Sequence, residues 1–586
     1  MTGVSVIVPS PSGAKLLVVR NPEYDEAPCQ FEIWGLAQVE KEFHIPQSVH
    51  GSVYADEWEF LGILMKLSLL MLLRNHLRPS QHLLVRATKK GSTTDENFAN
   101  WKGQGEWEEE WGETYVGKGQ PALFVININS GETQTVRGIE KHLSVGQVVW
   151  APAVRGSHQF LVFVGWSANT RKLGIKYCHN RPCALYAVKA PLCVSEDGQD
   201  IISRDNSFED FPVVNLTQST SSAYHPRFSG EVLHISPTDS NFSWNALSLD
   251  EDNIIAVSSS LVDVPRIKYG YLVDRERKST AWNWLDVPSP TNECSEKFSI
   301  MKIPVRDVSD SLTKGARNPF EAIFVSFKTN RSDSFDPLIV FIHGGPHTVS
   351  SSSFSKSLAF LSAIGFNLLL VNYRGSLGFG EEALQSLPGN IGSQDVNDIL
   401  VAIDHVIYMG LASPSKMAVL GGSHGGFLTT HLIGQAPDKF FAAAARNPAC
   451  NLALMVSTTD IPDWCSVEAY GTEGKNRYTE APSAEHLALF HSKSPISLIS
   501  KAKTPTHFLL GAQDIRLPIC SGLQYARALK EKGVAVKVIV FPNDNHPMDR
   551  PQSDFESFLN SGVWFKRYFV IDEQEFGSFS MLLLCK

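Results

Sequence analysis

The sequence predicts two domains: an all-β, propeller-like domain over residues 1–305, and an α/β domain with a doubly wound, mostly parallel sheet over 306–572. Residues 573–586 form a short tail. Three observations carry this reading. Short apolar runs punctuated by Gly, Pro, Ser and Asn fill the first part. Strand-like runs alternate with helical periods in the second. One junction in the second part runs from strand through a glycine-flanked serine straight into a helix.

At 586 residues the chain exceeds what one core can serve. With 43% hydrophobic and 19% charged residues, a disordered or collagen-like chain is excluded. The 52 Lys and Arg against 61 Asp and Glu give a charge of -9. That balance speaks against nucleic acid or an anionic membrane as partner. Nine cysteines, an odd number scattered from Cys29 to Cys585, form no disulfide framework and imply reduced thiols in the cytoplasm. The first twenty residues lack the basic and continuous apolar regions of a secretory signal. The most apolar run, 61–73 (LGILMKLSLLMLL), carries Lys66 and falls short of the roughly 20 residues a bilayer requires.

In the first domain, strands are expected at 14–20 (AKLLVVR), 121–127 (PALFVIN), 147–152 (QVVWAP), 159–166 (QFLVFVGW) and 184–189 (ALYAVK). A loose repeat of turn residues followed by an alternating strand suits propeller blades of about four strands. In the second domain, strands are expected at 322–327, 338–342, 366–372, 417–420, 506–510 and 535–541. Helices are expected at 354–364, 394–409, 425–435, 519–532 and 553–569. Strands apolar throughout, with helices between them, indicate a sheet covered on both faces, whose site lies at the carboxyl ends of the strands.

Residues 417–431 (MAVLGGSHGGFLTTH) fit the G-x-S-x-G nucleophile elbow of the α/β-hydrolases, with Ser423 as nucleophile. A serine hydroxyl requires a base, and the base an orienting carboxylate. In this fold they follow in the order Ser, Asp or Glu, His. Asp514 follows one later strand and His546 follows the next. His431, His491 and His507 fall in helical or strand positions that fit less well. For the oxyanion, the amide of His424 and that of Gly345, in His343-Gly344-Gly345-Pro346, are the expected donors. His343 and His347 are separated by Gly-Gly-Pro, which cannot hold a helical metal pair. Cys178, His179, Cys183 and Cys193 match no regular zinc spacing. No metal and no organic cofactor is expected.

The strings FIHGGPH (341–347), LLVNYRGSLGFG (369–380), SLPGNIGSQDVNDI (386–399), LGGSHGGFLTTHLIGQ (420–435), ARNPACN (445–451), STTDIPDWC (457–465) and GAQDIRLP (511–518) resemble the prolyl oligopeptidase family of serine peptidases. Within it they are most similar to the acylaminoacyl-peptidase branch. The resemblance implies Ser423, Asp514 and His546 as a catalytic triad, a propeller that limits entry to short peptides, and release of an N-acylated amino acid. It leaves Tyr373, Arg374, Arg446 and Trp464 as candidate substrate-binding residues, and a homo-oligomer as a possible assembly. Relative to the family, the chain starts partway into the first domain and lacks a block after about Ala190, so a shortened propeller is expected. Residues 61–78 and the tail have no family counterpart. A dipeptidyl peptidase or esterase on the same fold, or a catalytically silent form, stays open; Asp460 and Asp463 are the acids a dipeptidyl peptidase could use.

Overall fold

The structure, a computed structural model, describes residues 336–474, 479 and 481–569, with 297–306 and 312–326 before them. Upstream it describes the strands given below and short stretches beside them. The chain divides into two compact units. One comprises 1–240, 244–258 and 266–288; the other comprises 241–243, 259–265 and 289–586.

The first unit is built of antiparallel meanders. One runs Val4–Pro9, Leu16–Arg20, Gln30–Trp34 and Val39–His44. A second runs Val49–His50, His82–Lys89, Pro121–Asn127 and Thr133–Thr135. The third runs Leu143–Trp150, His158–Ser167, Cys183–Val194 and Asp200–Ile202, with Val214–Asn215 also paired to Cys183–Val194. The fourth runs Ser243–Asp250, Asn253–Ser259, Arg266–Leu272 and Trp282–Asp286. Period-2 alternation explains the packing: Leu161 and Phe163 turn inward with Val145 and Val188, and join Leu123 and Val125 of the second meander in one core. Four-stranded meanders packed in this way have the make-up of propeller blades. Of residues 61–78, Leu70–Leu72 pairs antiparallel with Glu231–Leu233, and the rest lie outside the described residues, as does the tail.

The second unit holds an eight-stranded sheet, numbered here by itself: β1 (Lys297–Ile303), β2 (Phe320–Ser326), β3 (Leu338–Ile342), β4 (Asn367–Asn372), β5 (Met417–Gly422), β6 (Ala442–Arg446), β7 (Thr506–Gly511) and β8 (Val536–Phe541). Their order is β1-β2-β4-β3-β5-β6-β7-β8. β2 is antiparallel to both neighbours and every other pair from β4 to β8 is parallel. This is the mixed, mostly parallel sheet of the α/β-hydrolases. β1 lies upstream of the boundary expected at 305/306. Its alternation KFSIMKI reads equally well as a strand of the first domain, and only its pairing with β2 assigns it to this sheet.

Helices α1 (Lys356–Ala363), α2 (Glu381–Gln385), α3 (Gln394–Tyr408), α4 (His424–Gln435), α5 (Leu452–Met455), α6 (Pro462–Tyr470), α7 (Ala484–Ser492), α8 (Ile519–Glu531) and α9 (Pro551–Tyr568) complete the unit. α1 and α9 cover one face, where Leu358, Leu361, Trp564 and Phe565 pack on Ile339, Leu368, Leu370 and Leu420. Each such side chain contributes about 1.5–3 kcal/mol on burial. α4 packs on β5 and β6 and is buried along all but its last residue. β6 reads AAAAR, a run of alanines with low strand propensity, and its place between β5 and β7 overrides that propensity.

His507 and His431 are buried in this unit, and neither hydrogen-bonds a carboxylate among the described residues. His507 in β7 donates from Nδ1 to the Lys537 carbonyl at 3.2 Å and lies over Trp564 with ring centroids 5.6 Å apart. His431 in α4 meets the Lys493 carbonyl at 3.0 Å. Burial pushes both imidazoles down to about 4. Between pH 6.5 and 4 each therefore binds fewer protons folded than unfolded, so its contribution to stability is present above pH 6.5 and lost as pH falls. Urea unfolding at pH 7 and pH 5 should show the loss. In His507→Phe the difference should shrink by about 2 kcal/mol, the linkage of one histidine over 1.5 pH units. An unchanged difference would refute the assignment.

Candidate active site

The carboxyl ends of β3, β5, β7 and β8 build the site. β5 ends in Gly421-Gly422, and Ser423 follows at φ 58° and ψ −123°, a conformation that costs a non-glycine residue energy. Its amide donates to the Arg446 carbonyl at 2.9 Å, and its carbonyl accepts from Phe427 at 3.0 Å, which starts α4 without a linker. The flanking glycines are required by space. A Cβ on Gly421 would strike the Gly425 carbonyl, and one on Gly425 would strike the Ile342 carbonyl at the end of β3. Gly344 also comes near, its Cβ position 3.1 Å from Ser423 Cβ.

Asp514 and His546, expected on the loops after β7 and β8, stand there. His546 Nδ1 is 2.8 Å from Asp514 Oδ2, and His546 Nε2 is 3.0 Å from Ser423 Oγ. Asp514 is only 3% exposed, and its other oxygen accepts from the Leu517 amide at 2.7 Å. Two acceptors' worth of contacts fix the carboxylate. A carboxylate facing Nδ1 places the ring proton there and leaves the Nε2 lone pair toward the serine. The amides of Gly345 and His424, expected as oxyanion donors, have no protein acceptor among the described residues. His424 opens α4, so its N–H is one of the four that a helix leaves unpaired.

Two family models match the chain: "Acylamino-acid-releasing enzyme, N-terminal domain" over residues 1–231 and 228–299, and "Prolyl oligopeptidase family" over 352–571. An acylamino-acid-releasing enzyme of Arabidopsis thaliana is 50% identical, the alignment covering 97% of this chain and 87% of the relative. The chain belongs to the acylamino-acid-releasing enzymes of the prolyl oligopeptidase family. A Mus musculus acylamino-acid-releasing enzyme is 31% identical over 95% of this chain and 86% of the relative. The alignment with the Arabidopsis relative runs over 681 positions, more than this chain's 586, so the relative carries residues for which this chain has no counterpart. The solved structure of Pyrococcus horikoshii acylaminoacyl peptidase shares the fold at a TM-score of 0.62 and 14% identity, covering 98% of this chain and 90% of that one.

The four residues that the family resemblance left as substrate-binding candidates take supporting positions. Tyr373 is fully buried, its ring stacked on His343 with centroids 4.5 Å apart. Arg374 is buried and grips Asp398 through Nε at 2.9 Å and Nη2 at 2.7 Å, so its charge is satisfied internally. Arg446 donates to the carbonyls of Pro547 and Met548 and lies 3.4 Å from Asp554, tying down the loop that bears His546. Trp464 is buried edge-on to the His424 ring, centroids 6.0 Å apart. His343 and His347 turn their Nε2 atoms to different partners. His343 Nε2 meets Ser376 Oγ at 2.8 Å, whereas His347 Nε2 meets Glu468 at 3.1 Å. For His347, burial lowers and the Glu468 carboxylate raises the affinity for a proton, with a net upward shift. Cys183 is buried at 4% exposure, and no cluster of potential metal ligands occurs among the described residues.

Asn447 escaped the sequence reading. It sits at φ 41° after β6, its Nδ2 donates to the His546 carbonyl at 2.9 Å, and its Oδ1 accepts from the Gly511 amide at 2.8 Å. One amide side chain thus couples the end of β7 to the loop of His546. A side chain that both donates and accepts at one point is the only signal, and the string RNP does not display it. Asn447→Ala leaves the buried Gly511 amide unpaired, which should lower stability by about 1–3 kcal/mol. It should also slow turnover of an ester substrate, because His546 loses its backbone anchor. Thermal unfolding together with kcat would check this, and wild-type values of both would exclude the coupling.

Proposed function

We propose that the chain is a serine peptidase that releases the N-acylated, for example N-acetylated, amino acid from the amino end of short peptides. The observation that carries this is the continuous hydrogen-bonded line from Asp514 through His546 to Ser423 at 2.8 and 3.0 Å. Ser423 Oγ attacks the carbonyl carbon of the acylated first residue while His546 Nε2 takes the hydroxyl proton. The oxyanion is received by the amides of Gly345 and His424. The tetrahedral species collapses as His546 returns the proton to the departing amine, leaving an acyl-enzyme on Ser423. Water, deprotonated by His546, then attacks that ester and frees the acylated amino acid. These residues form the whole proposed machinery, and no step requires a metal or cofactor.

The substrate class is supported by the family and by Asp460. Its carboxylate is held by Arg516, Nε to Oδ1 at 2.9 Å and Nη2 to Oδ2 at 3.0 Å, and its side chain is only 4% exposed. An acid committed in this way is poorly placed to grip a free ammonium group, as a dipeptidyl peptidase would require. An acylated amino terminus carries no charge and needs no such grip. Cys450 and Cys465 are buried and unpaired, and burial pushes their thiols up, in keeping with the reducing cytoplasm. No helix among the described residues is long and apolar enough to cross a membrane.

Wild-type protein should be labelled by a fluorophosphonate and Ser423→Ala should not; labelling retained in the variant would refute the nucleophile. Acetyl-alanyl anilide should be cleaved and an unblocked dipeptidyl anilide should not. The reverse preference would establish a dipeptidyl peptidase, and cleavage of short esters alone would establish an esterase. Failure of a folded wild-type chain to react with any of them would establish a silent form.

A further inference from the structure

Behind each expected oxyanion amide stands a buried histidine held by a buried carboxylate. On one side, the His424 ring is 1% exposed and its Nε2 lies 3.0 Å from Asp395 Oδ2, itself fully buried in the first turn of α3. The ring is packed against Phe427, centroids 4.9 Å apart at 25°, and against Trp464. Its Nδ1 has no partner among the described residues, so the contact with Asp395 is the one polar hold on the ring. On the other side, two residues beyond Gly345, His347 sits between the Gly375 carbonyl on Nδ1 at 2.8 Å and Glu468 Oε1 on Nε2 at 3.1 Å. Glu468 is fully buried in α6.

A buried carboxylate is expensive unless it is paired, and nothing in packing alone calls for two of them at this place. Each is reached across a long sequence separation, 29 residues for Asp395 and 121 for Glu468. Each contact ends on a residue at or beside a donor amide. Because the His424 ring and amide share one residue, fixing the ring in its packed slot fixes the peptide plane that carries the N–H. His347 likewise pins the outgoing arm of the loop that carries Gly345. An oxyanion hole acts only when its donors are aimed before charge develops, so small errors of aim are costly.

We propose that Asp395 and Glu468 are positioning residues of the oxyanion hole, acting through His424 and His347 to hold the two donor amides in line. The inference rests on the assignment of those amides above. It predicts that the damage falls on the transition state and leaves substrate binding intact.

The test uses the full chain carrying Asp395→Asn, Asp395→Ala, Glu468→Gln or Glu468→Ala. 4-Nitrophenyl acetate and acetyl-alanyl anilide serve as substrates, and acetyl-alanyl trifluoromethyl ketone as an oxyanion-forming inhibitor. Misaiming a donor should cost less than the 100–1,000-fold of losing one, so kcat should fall about 10-fold or more in the alanine variants. The isosteric Asn and Gln variants, which keep an acceptor oxygen, should recover part of it. KM should stay within about 2-fold, and affinity for the ketone should fall by the same factor as kcat/KM. If an alanine variant does not fold, its isosteric counterpart decides. A wild-type kcat and ketone affinity beside a lowered unfolding temperature would reduce the pairs to structural supports and overturn the proposal. A raised KM at constant kcat would overturn it in favour of substrate binding. If wild-type protein hydrolyses the ester but not the blocked anilide, the substrate reading fails alone and the ester still reads this proposal. A wild-type chain inert toward both overturns both.

Discussion

The strained backbone of Ser423 is the constraint on which the rest of the site depends. A serine at φ 58° persists only where its surroundings over-determine it, and here they do so from three directions. β5 is locked between β3 and β6 by parallel ladders, so the strand cannot relax at its carboxyl end. α4 starts on the very next residue and is packed along its length, so the helix cannot unwind to relieve the turn. The end of β3 presses on Gly425 so closely that only glycine fits. The same close approach of β3 that forces glycine at 425 brings Gly344 against the serine. Strain at the nucleophile and proximity of the oxyanion loop are therefore one packing solution.

Polar anchoring extends that solution outward. The carbonyls of His546, Pro547 and Met548 are each held by a side chain at the end of β6 or just after it, Asn447 for the first and Arg446 for the other two. The imidazole is thus aimed from its backbone as well as from Asp514. Such buried polar networks stabilise only when complete, because an orphaned member costs about 1–3 kcal/mol. The unit meets that demand with short reaches between neighbouring strand ends, where the parallel sheet has already brought the backbone together. The short loops after β6, β7 and β8 are the structural reason that residues 100 positions apart meet within hydrogen-bond distance.

Much of this was legible in the residues. The expected strands at 121–127 and 338–342 and the expected helix at 394–409 occur within a residue of their expected bounds, because their apolar periods are long and bounded by Gly, Pro or Ser. Ser423, Asp514 and His546 were found because each follows a strongly apolar strand and the fold dictates their order. What escaped was whatever depends on pairing or on one side chain serving two partners. β6 hides behind alanine, β1 reads as a strand of either domain, and Asn447 behaves as a loop residue until both of its amide ends are seen engaged. Arg374 and Arg446 show the complementary difficulty. A cation near a motif looks available in sequence, and only the structure shows that Asp398 and two loop carbonyls already satisfy it.

The division of the chain shows where the proposed chemistry is assembled. Gly345, His424, Ser423, Asp514 and His546, together with their anchors Asp395, Glu468, Arg446 and Asn447, all belong to the second unit. The proposed chemistry is therefore assembled without a residue from the meanders. Residues present in the Arabidopsis relative and lacking here leave the second unit's sheet whole, since all eight strands pair in unbroken order. The acyl transfer would keep its own determinants: a strained serine, two aimed amides and an imidazole held from both ends.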